Sequence, residues 1–282
     1  MGGGVSAQPQ QRHALACAPR VDPDQVATFR RDGHLLVRGL LDGAAVAGMR
    51  GPLMRAVERS GRMELPPERL KDAYSRAFVQ VINPGFQDPS LQPLTRSPRV
   101  GAWVAALLGA PGARLLLEDA FLKLPGAGPT PWHQDGSVAP VPPEQVLTAW
   151  IPLQPVAPEM GGLRLVPRSH RHGLWGPVDI SEQTQEEFER LIALRGLRPI
   201  ELPPMALGDV SFHSGCTVHG ARANETDQGR LVLALHCFAD GVMVAPIRHP
   251  NQAALLERLA PGHAAGDAAD APCWPRFAPA VQ

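Results

Sequence analysis

The order of local patterns along the chain restricts the fold more than any other feature, because helical patterns come first and strand patterns follow. Helical signals occur at 22–29, 42–59 and 98–108, each with a capping residue or a proline at its start. From residue 115 onward the sequence has the alternation and turn chemistry of strands, interrupted by a polar helical insert at 181–195. This order predicts one layered α+β unit, mainly β, and not two separate domains.

Length and composition agree with a single domain. The chain has 282 residues, of which 44% are hydrophobic, and this is enough to bury a large core. We expect a disordered tail at 1–20 and one domain at 21–250. A C-terminal segment at 251–282 is rich in Ala and Pro, and we expect a short helix around 252–259 followed by a loose tail.

Charge and cysteine content narrow the possible partners. The 27 basic and 27 acidic residues give a formal net charge of zero without a basic block, which argues against nucleic acid as a partner. No apolar run is long enough to span a membrane, and no signal-peptide core is present. The four cysteines lack C-x-x-C spacing and suit a reducing compartment. We therefore expect a cytoplasmic protein that acts on a small molecule.

The segment around residue 133 carries the chemistry of a metal site. It reads Trp132-His133-Gln134-Asp135, and side chains two apart in an extended segment lie on the same face, so His133 and Asp135 can bind one ion together. His219 lies far downstream and supplies a second imidazole. Two imidazoles and one carboxylate suit a non-haem Fe(II) ion that keeps open coordination positions for chemistry.

An arginine near the second histidine offers a place for an anion. The segments 209–213 and 230–238 read as strands, and the turn-rich stretch 224–229 lies between them. A chain reversal there would place His219 and Arg230 on adjacent strands or strand ends, close together. Because the planar guanidinium binds a carboxylate through two parallel hydrogen bonds, a chelating diacid could bridge from metal to arginine.

Three other histidines compete for the third ligand position. His213 lies near the end of the same segment as His219, and we favour His219 because its separation from Arg230 suits the chelate. His236 shares a strand face with Arg230 but lies six residues away, roughly 20 Å along a strand, which suits a core or pocket-wall histidine. His170 lies in a turn with strong hydrogen-bonding capacity and is expected to be structural.

Six segments of the chain resemble, in the same order, those of the phytanoyl-CoA dioxygenase family of Fe(II)/2-oxoglutarate-dependent oxygenases. No single segment is specific to the family, whereas the ordered set is, and it covers residues 22–245 approximately. The matching segments are 29–40, 132–136, 149–153, 161–170, 208–213 and 219–230.

The resemblance implies a fold and a ligand set. The fold is a double-stranded β-helix, a cupin-like jelly-roll barrel with helices packed on one side. Iron would be bound by His133, Asp135 and His219, and Arg230 would bind the C5 carboxylate of the cosubstrate 2-oxoglutarate. Trp150 matches a pocket-wall tryptophan of the family, although an ordinary core aromatic is an equal interpretation.

Two further positions and one departure follow from the same resemblance. Lys123 and Gln80 fall near segments that line the cosubstrate pocket in relatives. The family's Pro-Gly-Ser-His turn reads Pro-Arg-Ser-His here, so that Arg168 replaces a small residue and alters the local turn. Arg164 and Arg222 are candidates for contact with an anionic substrate, but we expect both to form surface or structural ion pairs.

The implied reaction consumes 2-oxoglutarate and O2, releases succinate and CO2, and hydroxylates an aliphatic C–H bond of a small molecule such as a biosynthetic intermediate. Related halogenases carry a small residue where this chain has Asp135, so hydroxylation, or a desaturation or ring-forming variant, is favoured. One alternative is a metal-dependent jelly-roll isomerase or hydrolase without 2-oxoglutarate, against which Arg230 argues. Another is a non-catalytic metal-binding barrel, but a structural zinc site normally has four protein ligands and only three converge here.

Overall fold

The computed structural model describes residues 21–61, 63, 73–176 and 180–278, and the expected tail at 1–20 lies outside these residues. The helices are α1 (Pro23–Asp32), α2 (Gly43–Arg59), α3 (Ala73–Ala77), α4 (Pro84–Gln87), α5 (Gln92–Thr95), α6 (Pro98–Leu108), α7 (Glu182–Leu194) and α8 (Pro250–Leu259). The strands are β1 (His34–Val37), β2 (Val79–Ile82), β3 (Ala113–Lys123), β4 (Thr130–His133), β5 (Val146–Pro152), β6 (Leu163–Leu165), β7 (Ile200–Glu201), β8 (Val210–Ser214), β9 (His219–Ala221), β10 (Arg230–Ala239) and β11 (Arg276–Ala278). Short 3₁₀ turns cover 89–91, 135–137, 143–145 and 169–172.

The long N-terminal helices begin where their capping residues predict. The Asp22 carboxylate accepts a hydrogen bond from the Asp24 amide at 3.0 Å, and Pro23 occupies the first turn of α1. The Asp42 carboxylate caps α2 in the same way, accepting from the Ala45 amide at 2.7 Å. In the described part of the chain, none of the helices is both long and apolar enough to cross a bilayer.

The strands form two antiparallel sheets. The large sheet has the order β1-β8-β5-β10-β3-β11, with β2 also pairing with β3, and the small sheet has the order β4-β9-β6-β7. The predicted mixed architecture of helices and antiparallel strands is therefore confirmed. In the large sheet, β10 lies between β5 and β3 and pairs with both over most of its length.

The two faces of the large sheet have different partners, because side chains alternate along each strand. On β10, Leu231, Leu233 and Leu235 belong to the main core cluster together with side chains of α1, α2 and α6. Each such buried leucine stabilises the fold by about 1.5–3 kcal/mol. Val232 and Ala234, on the opposite face, pack instead with residues of β5 and β6. The helices thus cover one face of the large sheet, and the small sheet lies against the other.

The small sheet is covered on its outer side by α7. Phe188 and Ile192 of this helix pack with Trp132 of β4 and Val218 at the start of β9. The Gln185 side chain also accepts a hydrogen bond from the Trp132 amide at 2.8 Å. The polar helical insert predicted at 181–195 is therefore confirmed, and it supports β4, the strand that ends at His133.

Of the two placements expected for His219 and Arg230, adjacent strands or strand ends, the first is wrong: each residue begins its own strand, and the two strands do not pair. β9 pairs with β4 and β6 in the small sheet, whereas β10 pairs with β3 and β5 in the large sheet. The connection between them is held by Asn224, whose amide nitrogen donates to the carbonyl oxygens of Lys123, Leu124 and Gln228 at 2.7–3.2 Å. The turn therefore carries the chain from one sheet to the other and does not close a hairpin.

The structure places α8 at Pro250–Leu259, and residues 260–278, for which the sequence suggests a loose tail, pack against the large sheet. The Trp274 side chain is fully buried, and its ring lies 5.6 Å from that of Phe238, measured between centroids. β11 then pairs with β3 at the edge of the large sheet. The segment is ordered because the Trp274 ring buries a large apolar area, which the high Ala and Pro content of the sequence concealed.

Candidate metal centre

Two strand ends bring the predicted ligands together. His133 ends β4 and His219 begins β9, and the two residues are direct partners across the antiparallel pair. Gln134 is extended, so Asp135 returns to the face of His133 as the sequence predicts. One potential ligand atom from each of His133, Asp135 and His219 lies within 4.8 Å of the others.

Backbone carbonyls determine which ring nitrogen of each histidine is free. His133 Nδ1 lies 2.8 Å from the Pro131 carbonyl oxygen, and His219 Nδ1 lies 3.1 Å from that of Thr217. A carbonyl oxygen only accepts, so Nδ1 of each ring carries the hydrogen and Nε2 keeps its lone pair. Both Nε2 atoms lie 3.6 Å from Asp135 Oδ1. Three electron-pair donors therefore face one point.

The protonation states suit a divalent cation. Burial, together with the neighbouring histidine charge, lowers the pKa values of His133 and His219 to about 4. Burial alone would raise the pKa of Asp135, but the surrounding histidines outweigh it and hold that pKa well below its usual value. At neutral pH the triad is two neutral imidazoles and one carboxylate, the form in which these groups bind metal.

The second oxygen of Asp135 is held by other side chains. Thr148 Oγ1 donates a hydrogen bond to Asp135 Oδ2 at 2.6 Å, and His213 Nε2 lies 3.2 Å from the same oxygen. The alternative ligand His213 therefore contacts the outer side of the carboxylate, whereas His219 faces the inner oxygen with His133. This arrangement favours His219 as the third ligand. Sequence reasoning missed Thr148, although it alternates with Trp150 on the same face of β5.

A second buried polar group lies beside the triad. His236 Nε2 lies 3.1 Å from Asp119 Oδ2, and the Gln80 amide nitrogen donates to Asp119 Oδ1 at 2.8 Å. Burial raises the pKa of Asp119, opposed by His236 and Gln80. For His236, burial lowers the pKa, but Asp135 and Asp119 outweigh it and the net shift is upward. His236 is a cavity-wall histidine, as expected. Asp119 was missed, although it alternates with Lys123 on β3.

Two cations are buried at one end of the inner sheet face. Arg230 and Lys123 are register partners on β10 and β3, and their exposed fractions are 2% and 0%. Arg230 Nη1 donates to the Gly161 carbonyl at 2.7 Å, Lys123 Nζ donates to the Gly128 carbonyl at 2.5 Å, and the Trp150 ring lies 5.3 Å from the guanidinium carbon. Within the residues that the structure describes, Arg230 Nε has no hydrogen-bond partner.

The cationic pair lacks a counter-charge. Burial lowers the pKa of Arg230 to about 9, and burial together with the Arg230 charge lowers that of Lys123 to about 7. Neither side chain forms an ion pair with a carboxylate anywhere in the described ranges. Because burying an unpaired cation is costly, a pair of them with a free N–H group is the chemistry of an anion-binding site.

One cavity of about 700 Å³ connects the triad with Arg230, whereas Lys123 lies beside Arg230 and is not among the residues that line the cavity. The triad and Arg230 both contribute to its wall, together with Gln80 and Trp150. Most of the remaining wall is apolar, from Phe78, Ile82, Leu116, Leu117, Phe121, Val138, Val146, Leu163, Ile180 and Leu255. A cavity of this size and character, with a few convergent polar groups, is typical of a small-molecule site.

The remaining polar residues considered from the sequence are structural. His170 Nε2 lies 3.1 Å from the Arg30 carbonyl oxygen, which ties its turn to α1. Arg222 pairs with Glu201 and Glu225 at 3.2–3.3 Å, and Arg164 lies 3.9 Å from Glu201 and over the Trp132 ring. Both arginines are thus in ion pairs, as expected. Neither is among the residues that line the cavity.

Two antiparallel sheets around a cavity with a two-histidine, one-carboxylate triad define a candidate mononuclear metalloenzyme. Solved structures with this fold include the non-heme alpha ketoglutarate dependent carbocyclase SnoK from nogalamycin biosynthesis, at 24% identity and TM-score 0.72, covering 91% of this chain and 96% of that one. The epimerase SnoN from the same biosynthesis matches at 26% identity and TM-score 0.66, covering 90% of this chain and 97% of that one. EctD from S. alaskensis matches at 19% identity and TM-score 0.60, covering 80% and 81%.

The family of the chain follows from its sequence. The family model for phytanoyl-CoA dioxygenase (PhyH) matches residues 29–232, well over half of the chain. The chain belongs to the phytanoyl-CoA dioxygenase family, which confirms the resemblance found in its motifs. No curated protein matches the chain.

Proposed function

We propose that the protein is a non-haem Fe(II)- and 2-oxoglutarate-dependent dioxygenase that hydroxylates an aliphatic C–H bond of a small molecule. In this proposal the two sheets form a double-stranded β-helix. The observation that supports this proposal is that one cavity contains two groups. The first is the triad, with two neutral imidazoles and one carboxylate, and the second is the buried Arg230, which has no counter-charge among the described residues. A metal site alone would suit many enzymes, whereas a metal together with an anion site suits a chelating diacid.

The donor set fits iron. His133 and His219 offer Nε2 lone pairs and Asp135 offers one oxygen, so three ligands on one side leave positions for cosubstrate and O2. When bound there, iron with 2-oxoglutarate and O2 supplies the oxidation of an aliphatic C–H bond, with release of succinate and CO2. Thr148 and His213 hold the other oxygen of Asp135 and so keep the carboxylate oriented.

The cationic pair fits the C5 carboxylate of 2-oxoglutarate. Arg230 Nε has no hydrogen-bond partner among the described residues and can donate to an anion. Lys123 lies beside it with a pKa lowered to about 7, so it is partly protonated at neutral pH and a bound carboxylate would favour its charged form. Trp150 covers the guanidinium and keeps water away from one side of it. Gln80 lines the same cavity, and we propose that it contacts the cosubstrate from its position beside Asp119.

The apolar wall positions the substrate and excludes water from the reaction. Residues such as Phe121 and Leu117 offer contact area without competing polar groups.

Ring closure or epimerisation is the second candidate outcome, because the solved relatives include a carbocyclase and an epimerase. The mass of the product separates these outcomes, since hydroxylation adds one oxygen atom, ring closure by dehydrogenation removes two hydrogens and epimerisation changes neither.

Succinate release from 2-oxoglutarate tests the proposal without knowledge of the substrate. The protein is loaded with Fe(II) anaerobically, exposed to air and assayed beside His219→Ala and Arg230→Met. We expect slow succinate formation by the wild type and none above background in either variant. Arg222→Met and His170→Ala are matched controls, because these residues lie outside the cavity, and both should keep the wild-type rate.

Binding distinguishes the alternatives. If the wild type binds Fe(II) and 2-oxoglutarate but forms no succinate, turnover requires the substrate, and the same variants are compared by affinity. If Zn(II) binds and 2-oxoglutarate does not, the metal-dependent isomerase or hydrolase interpretation replaces the oxygenase. If no metal binds at the triad, the proposal is wrong.

A further inference from the structure

The C-terminal helix α8 presents one of its faces to the cavity. Asn251, Ala254, Leu255 and Arg258 all contribute to the cavity wall, and their spacing of three, four and seven residues places them on one side of a helix. The helix lies beyond residues 29–232, the part of the chain that the family model matches. This wall of the cavity is therefore formed by a segment outside the family's shared motifs.

A neighbouring face of α8 fixes its position. Leu256 and Leu259 are buried in a cluster that includes Trp274 and the cavity residues Leu116 and Leu117. Such packing leaves the helix little freedom to move away from the cavity, because movement would expose these buried leucines to water.

A hydrogen bond also ties α8 to the metal-binding loop. The Gln252 amide nitrogen donates to the Ser137 carbonyl at 3.0 Å, and Ser137 follows Asp135 by two residues. The Gln252 amide oxygen accepts from the Arg248 amide at 2.8 Å. The helix is thus held in a constant position relative to the triad.

Arg258 gives this wall a positive charge. It is exposed, and it makes no hydrogen bond or ion pair with any residue in the described part of the chain. The other charged side chains of the cavity wall, Asp119, Asp135 and Arg230, are buried or nearly so. Among the described residues, the cavity therefore combines an apolar surface with one exposed cation, Arg258 on α8.

We propose that α8 is the element that selects the substrate, and that the substrate is an apolar molecule with a carboxylate or phosphate group that binds Arg258. The apolar part lies along Ala254 and Leu255, and the acidic group pairs with the guanidinium at the solvent-exposed end. The proposal rests on the oxygenase function for the reaction, but the binding it describes is measurable without turnover.

Calorimetry on the intact protein tests the charge preference. The protein carries Fe(II) under anaerobic conditions with saturating 2-oxoglutarate, so that the Arg230 site is occupied and no turnover occurs. The probes are decanoate, decyl phosphate and methyl decanoate. We expect decanoate or decyl phosphate to bind about tenfold more tightly than the neutral ester, the effect of one hydrogen-bonded charge pair. Which acid binds more tightly separates a carboxylate from a phosphate substrate.

Substitutions in and beside α8 test whether this helix causes the preference for the acidic probes over the ester. Arg258→Gln should reduce the affinity for the acid about tenfold, to that of the ester, and leave the affinity for the ester unchanged. Arg248→Gln is the matched control, because it removes one exposed arginine beside α8 that does not line the cavity. Ala254→Trp should abolish binding of all three probes while Fe(II) and 2-oxoglutarate still bind.

The outcomes separate this proposal from the proposed function. Equal affinities for acid and ester in the wild type, binding of no probe, or an acid preference that survives in Arg258→Gln would overturn it. If the charge preference depends on Arg258 but no succinate is ever formed, the binding site stands and the oxygenase function fails. If succinate forms but the charge preference is absent, the oxygenase function stands and the substrate-binding proposal for Arg258 is wrong.

Discussion

At the scale of single residues, Asp135 shows how one carboxylate serves two purposes. Its Oδ1 faces the two ligand histidines, and its Oδ2 accepts from Thr148 and lies close to His213. An oxygen that is already hydrogen-bonded is less available to a metal, so the outer contacts direct the ligation to Oδ1. Removing them leaves the ligand present but less well oriented.

Thr148→Val tests whether the contacts at Asp135 Oδ2 orient the carboxylate for metal binding. The substitution removes the hydrogen bond to Asp135 Oδ2 and nearly preserves the volume, so we expect Fe(II) affinity to fall about tenfold. The affinity is measured anaerobically by competition with a chelator. Ser211→Ala is the control, since Ser211 is a buried hydroxyl in the same sheet and forms no hydrogen bond to Asp135. An unchanged Fe(II) affinity in Thr148→Val would contradict the orienting role.

We expect Lys123 to destabilise the folded protein and to strengthen the binding of 2-oxoglutarate. Its pKa in the folded protein is about 7, against an ordinary 10.5, so between these pH values the unfolded state holds more protons. The free energy of unfolding therefore rises with pH in this window, and the full penalty applies below pH 7. At pH 6, Lys123→Met should increase the free energy of unfolding by about 1–3 kcal/mol.

Denaturant titrations from pH 6 to pH 10 measure this effect, and the advantage of Lys123→Met should shrink as the pH rises. The same variant should bind 2-oxoglutarate at least about tenfold more weakly, because one charge is lost. A variant that is less stable at pH 6, or that binds 2-oxoglutarate normally, contradicts the assignment of Lys123 to the anion site.

Arg168 stands where the family's Pro-Gly-Ser-His turn has a glycine, and its backbone conformation shows the effect of this replacement. Its φ of 69° lies in the left-handed region, where a glycine is unstrained. Its side chain makes only a long contact with Asp32 at 3.8 Å and is 60% exposed. The turn therefore keeps the backbone shape that glycine would adopt, at a cost in strain.

Arg168→Gly should stabilise the protein by about 0.5–1 kcal/mol, because relief of strain exceeds the entropy cost of glycine and the weak ion pair. Thermal and denaturant unfolding measure the change. Arg171→Gly is the control in the same 3₁₀ turn, at a position without a positive φ, and it should be destabilising. A loss of stability in Arg168→Gly would show that its contacts outweigh the strain.

Residue types and spacing predict that His133 and Asp135 share one face, because side chains alternate in extended segments, and the structure places both beside His219 in the cavity that Arg230 also lines. Their roles as metal and cosubstrate ligands remain predictions. Thr148 and Asp119 were missed because neither belongs to a motif with metal-ligand spacing. Their role follows from contacts between β3, β5 and β10, and strand pairing is not encoded in local spacing.

At the scale of elements, a short turn before β6 shapes the anion site. Gly161 has a φ of 86°, and its carbonyl oxygen accepts from Arg230. A Cβ atom at this position would collide with the Lys123 side chain and press on the Arg222 carbonyl oxygen. Glycine is therefore required both by the backbone conformation and by the close approach of the cation.

Gly161→Ala should lower the free energy of unfolding by about 1–3 kcal/mol and weaken 2-oxoglutarate binding about tenfold. Gly126→Ala is a matched control, because Gly126 also has a positive φ of 71° but has no atoms within 4 Å of its Cβ position. It should show the backbone strain without the loss of binding. Equal effects on binding in the two variants would exclude the steric explanation.

The helices were the elements best predicted from the sequence. α1, α2, α6, α7 and α8 begin at or near the expected residues, because their caps and apolar periods are local signals. The placement of β9 and β10 in different sheets and the packing of residues 260–278 were not predicted. Both depend on long-range contacts, such as those of Asn224 and Trp274, that leave no periodic signal in the sequence.

At the scale of the whole molecule, two sheets with different partners hold the triad and Arg230 in the wall of one cavity. The triad comes from β4, β9 and the turn between β4 and β5, and Arg230 comes from the large sheet. The residue types of both groups are visible in the sequence, but the size of the cavity and the contribution of α8 are not. These follow from how the sheets and the C-terminal segment pack, which no single segment determines.

The measurement that tests the central claim most directly is the coupling between metal and 2-oxoglutarate binding. Each affinity is determined anaerobically in the absence and presence of the other ligand. If one molecule of 2-oxoglutarate bridges from the metal to Arg230, each ligand must tighten the other by the same factor, and a factor of about ten or more is expected. Arg230→Met should weaken 2-oxoglutarate binding and leave the affinity for Fe(II) alone unchanged. Independent binding of the two ligands, or no binding of Fe(II), would contradict the account.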